Sequence, residues 1–505
     1  MTIGIVDLIE LLASVAIVLW IGIRTGKGNQ TADDYMFGGR NLPWWAILGS
    51  IVATETSTAT VLSVPGFGFG PVGLKFLQLA MGYIVGRLLV VTILLPLFFK
   101  GQLSSAYHVL RDRFGQRSTH AASLLFLVTR NLGDGLRLFL AALVLNKLLG
   151  WDFYLCALTT GAITMLYTYV GGMRSVVWND CIQLLIYMSG GLATIVLIAM
   201  KIDGGWATIL EFAQQNNKLQ VIQAVPAAGQ GWLQWLLTSP YTIWAGVLGG
   251  ATLTLGTHGT DQMMIQRYLS ARSQADAGKA VVVSSLVVFI QFAIFLFVGI
   301  QLACFYQQSE PSLQFAKPDE VYVHFLVNHF PYNTGMTGLM LAAILAAAMS
   351  TLSSSLNSSA TAVINDFYLP ACKVVPSHRK LLLITQVLTL LFGVVQVTVG
   401  ILAARLSEQV VSSALTIAGY SSGLLLGMFF LGIAGRRVGQ TAALVGAMFG
   451  LCVLLLVQFV LPIVAGQEWK IAWPWYSLIG ASATILFAFA LSFVLPNSQQ
   501  NDGTA

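Results

Sequence analysis

The sequence predicts an all-α polytopic membrane protein of about thirteen transmembrane helices, with two inverted five-helix repeats inside it. Three observations carry that prediction. Hydrophobic residues make up 56% of the 505 and charged residues only 9%, with a mean hydropathy of +0.77, which leaves too few charges to cover a soluble surface. Apolar runs of about 20 residues, enough to cross a bilayer, recur along the whole chain. Two of these runs, five apart, are interrupted by oxygen-bearing residues.

In chain order the apolar runs fall at residues 4–23, 44–69, 74–99, 120–149, 153–170, 176–199, 233–256, 280–306, 334–368, 381–404, 410–431, 442–464 and 473–495. The first follows MTIGIVDLIE, which has no basic segment and no small-residue cleavage site, so it is expected to be a retained span and not a signal peptide. Thirteen spans put the two termini on opposite sides of the membrane. Of the Lys and Arg residues, sixteen fall on one set of loops and six on the other, and that bias places the N-terminus outside and the C-terminus in the cytoplasm. Four more, Lys75, Arg87, Arg130 and Arg137, fall within spans or at their edges.

The longer polar segments, 201–232 and 307–333, lie on the outer side in this topology and are expected to form lids or short surface helices. SSAYHVLRDRFG, 104–115, reads as a short amphipathic helix ended by Gly115. The tail 496–505 is polar and is expected to be disordered. The net charge of +6, spread over short loops, fits membrane topology and a lipid bilayer partner, not nucleic acid. Cys156, Cys181, Cys304, Cys372 and Cys452 form no CxxC pair, and the six histidines are scattered. Spacing therefore supports neither a disulfide framework nor a zinc site.

The second span contains ATETSTAT, residues 53–60, with five hydroxyls and Glu55, followed by Pro65-Gly66. An ionisable side chain at membrane depth costs about 3 kcal/mol and marks a functional site by default. The alternative is a packing helix whose hydroxyls bond back to their own turn. The seventh span runs into GGATLTLGTHGTD, where Gly256, Thr257, His258 and Gly259 are expected to interrupt the helix. In the ninth, seven of the ten residues from Ser350 to Ser359 carry hydroxyls. Interrupted segments in corresponding positions of two halves point to a secondary transporter with its site at the midplane.

Residues 44–201 and 233–435 would form the two repeats. Around them lie a first helix and loop (1–43), an outer loop (202–232), two terminal helices (436–495) and the tail (496–505). Hydroxyls plus carbonyls freed by an unwound turn suit sodium, a hard cation that needs several oxygens and must leave again. Ser350, Ser353 and Ser354 share one helical face, with Thr351 beside them and Ala347 a turn earlier. Close packing of small residues is the competing explanation for such a helix.

Several segments together resemble the sodium/solute symporter family: YVGGMRSVVWNDCIQ, THGTDQMMIQRYLSARS, AAAMSTLSSSLNSSATAVINDFY, GYSSGLLLGMFFLGI and GRRVGQTAALVGAMFG, within residues 33–450. The resemblance implies a leucine-transporter-like fold and sodium-coupled solute uptake by alternating access. It further implies a sodium site made of the carbonyls of Ala53, Thr56 and Ala347 and the hydroxyls of Ser350 and Thr351. A second sodium site, present in some members, would use Asp180, Ser350, Ser353 and Ser354. The solute position nominates Glu55, Tyr83, Asp134, Arg137, Thr257, His258 and Tyr420.

Ala80 and Val288 stand where the sugar carriers of the family have a glutamate and a lysine, so a carboxylate or amino acid is expected before a hexose. Arg130, Asp134 and Arg137 are spaced for the aspartate to meet both arginines. The expected function is sodium-coupled symport of a small organic solute across the cell membrane, with sodium as the only cofactor and no obligate protein partner. A transporter-like sensor and a passive channel are the alternatives, the first disfavoured by the ten-residue tail. No nucleophile, acid-base or metal-ligand spacing suggests an enzyme.

Overall fold

The computed structural model describes residues 4–100, 103–374, 376–406, 408–434 and 437–495, with the side chains of Ala59 and of residues 408–413, 415 and 418 left aside. The expected polar tail, and Arg436 of the charge bias, lie outside the described residues. The regular structure of the described residues is helical. Its only β feature is an isolated bridge between Leu42 and Ala271. Eight helices are long and apolar enough to cross a bilayer, and a bent pair makes a ninth span.

The span candidates are labelled α1 (Ile5–Gly26), α2 (Trp44–Glu55 and Thr58–Phe69), α3 (Leu77–Leu89, carried on to Lys100), α4 (Gln116–Leu149), and α5 and α6, the two parts of Phe153–Lys201 on either side of Gly172. They continue with α7 (Gly250–Gly259), α8 (Gln274–Ser309), α9 (Met336–Ala362), α10 (His378–Ala403), α11 (Glu408–Ala434), α12 (Gln440–Leu455) and α13 (Tyr476–Leu491).

α9 is the hub. Every residue from Met340 to Ala362 is buried, although the segment is rich in hydroxyls. Small side chains let neighbouring backbones come close, which is how helices associate where no water drives them together. The periphery is the reverse. Leu8, Ile9 and Leu12 on α1, and Leu383, Val387, Leu391 and Val394 on α10, are exposed and face the acyl chains.

Three boundaries differ from the sequence reading. The expected spans at 153–170 and 176–199 are both found within the 49-residue run Phe153–Lys201, but they meet directly at a kink and not across a separating loop. A straight helix of that length would reach about 74 Å, more than twice the hydrocarbon core, and the run is broken at Gly172, with φ 54° and ψ −148°. The expected span at 233–256 is divided. Trp232–Thr238 is a separate short helix, and a wide turn at Ala245–Gly249 leads into α7. The expected interruption at Gly256–Gly259 is absent, because α7 continues through all four residues and stops only at Thr260. Gly256 serves packing instead: a Cβ there would lie 2.6 Å from the Ser422 carbonyl.

Two loops are fastened by unpaired backbone groups. Lys218 donates its ammonium to the carbonyls of Phe69 at 2.7 Å and Gly70 at 2.9 Å, closing the end of α2. Asp7, on α1, accepts the N–H groups of Asn333 at 3.0 Å and Gly335 at 2.9 Å and so anchors the start of α9.

Gly172→Ala should be severely destabilising. Its backbone lies where only glycine is relaxed, and the added Cβ would meet the Tyr35 carbonyl at 2.5 Å. A loss of about 3 kcal/mol is expected from these two effects, read as a lower thermal unfolding midpoint in detergent. An unchanged midpoint would contradict the role given to this glycine.

Candidate functional site

The site forms where α2 stops inside the protein. Its first half ends at Glu55, Thr56 is extended at φ −81° and ψ 104°, and Ser57 caps the second half, with Thr60 Oγ1 accepting its N–H at 3.4 Å. The axes of the halves differ by 66°. A helix that ends here leaves its last carbonyls without the donors one turn further on. Thr351 of α9 answers part of that need: its hydroxyl lies 3.4 Å from the Thr54 carbonyl and 3.4 Å from the Ala347 carbonyl. Thr58 reaches the Ile344 carbonyl at 3.3 Å. Around Thr56 the amide of Gln291 donates at 2.8 Å and the Tyr187 hydroxyl at 3.2 Å.

Of the expected sodium ligands, Ala53, Thr56, Ala347, Ser350 and Thr351 are all buried at this junction. Ser350 donates to Asp180 Oδ1 at 2.5 Å, which uses its proton and leaves its oxygen lone pairs for a cation. The other three residues expected with Ser350 are also together. Ser353 and Ser354 donate back to the Ser350 carbonyl at 3.1 and 2.7 Å.

Arg267, counted from sequence among the loop cations, is instead fully buried against this group. Its guanidinium lies 3.4 Å from Asp180 Oδ2, 2.5 Å from Thr54 Oγ1 and in hydrogen-bond contact with Ser354 Oγ. Ser50 completes the shell at 2.5 Å from Asp180.

The solute candidates fall into three groups. Glu55 pairs with Arg87 of α3, a fully buried guanidinium that also donates to Ser284 Oγ at 2.5 Å. His258 Nε2 lies 3.7 Å from the same carboxylate, and its Nδ1 is 3.1 Å from the Thr257 hydroxyl. Tyr83 is one turn before Arg87 and packs on Phe292.

The second group is on α4. Asp134 is shared by Arg130, at 2.8 Å, and Arg137, while Arg130 also faces Asp261 at 3.7 Å. Arg137 retains 40% side-chain exposure. With Asp134 it lines a small cavity that also receives Ser57 and Thr58 from α2 and Ala347 and Thr351 from α9. Tyr420 stands apart, edge-on to Tyr476 at 5.7 Å in a cluster with Trp475.

Sequence reasoning missed Arg87, Arg267, Asp261, Gln291 and Tyr187 as members of the site. For Arg87 a signal existed, since a cation at membrane depth requires a partner.

The chain as a whole has known relatives. The profile described as Sodium:solute symporter family matches residues 35–450. The chain belongs to that family. It is a sodium-coupled symporter, a transporter and not an enzyme, with sodium as its coupling ion. The human sodium/iodide cotransporter is 31% identical over 449 residues, covering 88% of this chain and 68% of the relative. Human sodium-coupled monocarboxylate transporter 1 is 28% identical, covering 86% and 69%. A solved Na+-coupled sialic acid symporter, in a substrate-bound outward-open state with a novel Na+ site, superposes with a TM-score of 0.85 at 26% identity, covering 98% of this symporter and 99% of that chain. The symporter is thus a multi-pass membrane protein with the fold of that carrier.

Glu55→Gln should leave Arg87 as a buried, unpaired cation, a change that costs about 3–5 kcal/mol. Thermal unfolding should show that loss, and adding Arg87→Met should recover most of it. A Glu55→Gln protein as stable as the parent would mean the pair is not structural.

Proposed function

We propose that this symporter couples one sodium ion to uptake of one small organic anion, a carboxylate, by alternating access of two inverted repeats, 44–201 and 233–435. The membrane would be the cell membrane, with the N-terminus outside and the C-terminus in the cytoplasm, as the Lys and Arg bias supports.

The observation that carries the solute class is the cavity shared by Arg137, the start of the second half of α2 and Thr351. A helix N-terminus favours negative charge, and a guanidinium is a forked donor matched to a carboxylate. Asp134 is shared with Arg130, so Arg137 keeps donors for a ligand. The relatives that carry iodide, monocarboxylates and sialic acid support an anion as cargo. Glu55, with its charge taken by Arg87, would organise the site and not bind an amine.

Sodium would rest on the carbonyls of Ala53, Thr56 and Ala347 and the hydroxyls of Ser350 and Thr351. The approach of Thr351 to two carbonyls supports this reading. At the second position, Asp180, Ser350, Ser353 and Ser354, the Arg267 guanidinium supplies the positive charge a second ion would bring. One ion per cycle follows.

Stoichiometry then sets the energetics. A 100 mV potential contributes about 2.3 kcal/mol per charge and a tenfold gradient about 1.4 kcal/mol, together a few-hundred-fold accumulation of a neutral solute. With a monoanion the two charges cancel, and a tenfold sodium gradient supports only about tenfold accumulation.

In proteoliposomes, uptake of a carboxylate should require an inward sodium gradient and should carry no net current. Uptake that continues unchanged in potassium would sink the coupling. A screen of carboxylates, amino acids and sugars by sodium-dependent thermal shift should favour carboxylates. Thr351→Ala should raise the half-saturating sodium concentration about tenfold, equivalent to about 1.4 kcal/mol. Arg137→Ala should lower carboxylate uptake about tenfold or more, and full uptake in that variant would remove Arg137 from the solute site.

A further inference from the structure

The loop between α8 and α9 carries a cluster that the transport site does not use. α8 ends at Ser309 and Glu310 follows as its cap. The short helix Pro318–Asn328 contains His324 and is capped by His329. The ligand atoms of Glu310, His324 and His329 all lie within 4.8 Å of one another, the only such group of three among the described residues. All three side chains are partly buried, and they sit on the side the charge bias assigns to the exterior.

His329 Nε2 is 2.8 Å from Glu310 Oε1, yet this buried nitrogen has no hydrogen-bond partner of acceptable geometry. The Glu310 carboxylate and the His329 imidazole are thus held side by side, as two ligands of one ion would be. His324 Nδ1 is held 2.8 Å from the Tyr306 hydroxyl, which fixes the ring and leaves Nε2 for a metal, as an outer partner does for a ligating histidine.

Two histidines and a carboxylate form a known zinc set, with the fourth position open to water, and the H-x4-H spacing lies within the usual range. Imidazole selects zinc and its neighbours over magnesium and calcium. Linear spacing alone had supported no zinc site. The third ligand arrives only through the fold.

We propose that Glu310, His324 and His329 form a site for a first-row transition cation of the zinc class, which clamps the Pro318–Asn328 helix to the end of α8. The clamp is placed to matter for transport. Gly66, in the second half of α2, packs directly on Pro318, where even a Cβ would come within 2.3 Å of the Pro318 carbonyl. Phe69 stacks edge-on against Phe315, at 5.7 Å, and against Tyr306, at 6.3 Å. Fixing this short helix therefore restrains the outer half of α2.

The test uses purified full-length protein and Zn2+ alone, in competition with a chromophoric chelator. One Zn2+ per chain should bind in the micromolar range or tighter, without competition from magnesium. Glu310→Gln, His324→Gln and His329→Gln should each weaken binding at least tenfold while leaving the zinc-free thermal midpoint unchanged. Zinc should also slow amide exchange in Pro318–Asn328 in the parent protein. No binding below millimolar zinc, or equal binding by the triple variant, would overturn the site. Binding that leaves exchange in Pro318–Asn328 unaltered would overturn the clamp.

Discussion

A backbone that stops in the middle of a membrane must have its loose ends answered, and that requirement organises this molecule. Between Glu55 and Thr58 the chain has no continuing helical turn, and no lipid can bond the exposed carbonyls and N–H groups. The answer comes from α9, whose small hydroxyl residues are buried on every side. Only such a helix brings Thr351 close enough to meet Thr54 and Ala347 together. The same short side chains that permit close packing supply oxygens at the break. Packing and coordination are thus one property of this helix and not rival explanations for it.

Charge inside the bundle follows the same economy. Glu55 is matched by Arg87, Asp180 by Arg267, and Asp134 by two arginines, one of which also faces Asp261. Removing one member of such a pair leaves an uncompensated charge in a medium of low dielectric constant, which is why these groups occur in sets. Arg137 differs from the rest because its side chain is 40% exposed, against 0% for Arg87 and 1% for Arg267. The fully buried arginines complete the frame, whereas Arg137 presents its charge to a cavity. That asymmetry is what the proposed solute role of Arg137 rests on.

How much of this could be read in the sequence depends on the range of each signal. Hydroxyls and a carboxylate within an apolar run are a local anomaly, so α2 and α9 were legible as functional helices. The partners were not. Asp180 and Arg267 are 87 residues apart, and nothing local marks Arg267, which in linear order follows a glycine-rich stretch and passes for a loop cation. The glycines of α7 were misread for a related reason. Composition cannot separate a glycine that unwinds a helix from one that admits a neighbouring backbone, and Gly256 does the second, against Ser422. The actual stop comes at Thr260, where Asp261 begins the next short helix by accepting the Met263 N–H at 2.8 Å.

The two halves of α2 share α8 and α9 as neighbours but are fastened at their far ends by different groups. The first half is tied to α6 and α9 through Ser50, Thr54, Asp180 and Ser350. The second half is held from the other end, by Lys218 at its terminal carbonyls and by the Pro318–Asn328 helix at Gly66. Only extended Thr56 and Ser57 join them, so relative motion is concentrated in two residues. An ion on the proposed ligands would join the end of the first half, at Ala53 and Thr56, to α9, at Ala347, Ser350 and Thr351, right beside the break. Its departure from those ligands would remove that restraint next to the two extended residues. On the proposed ligands sodium would not need to act at a distance, because its site would adjoin the break.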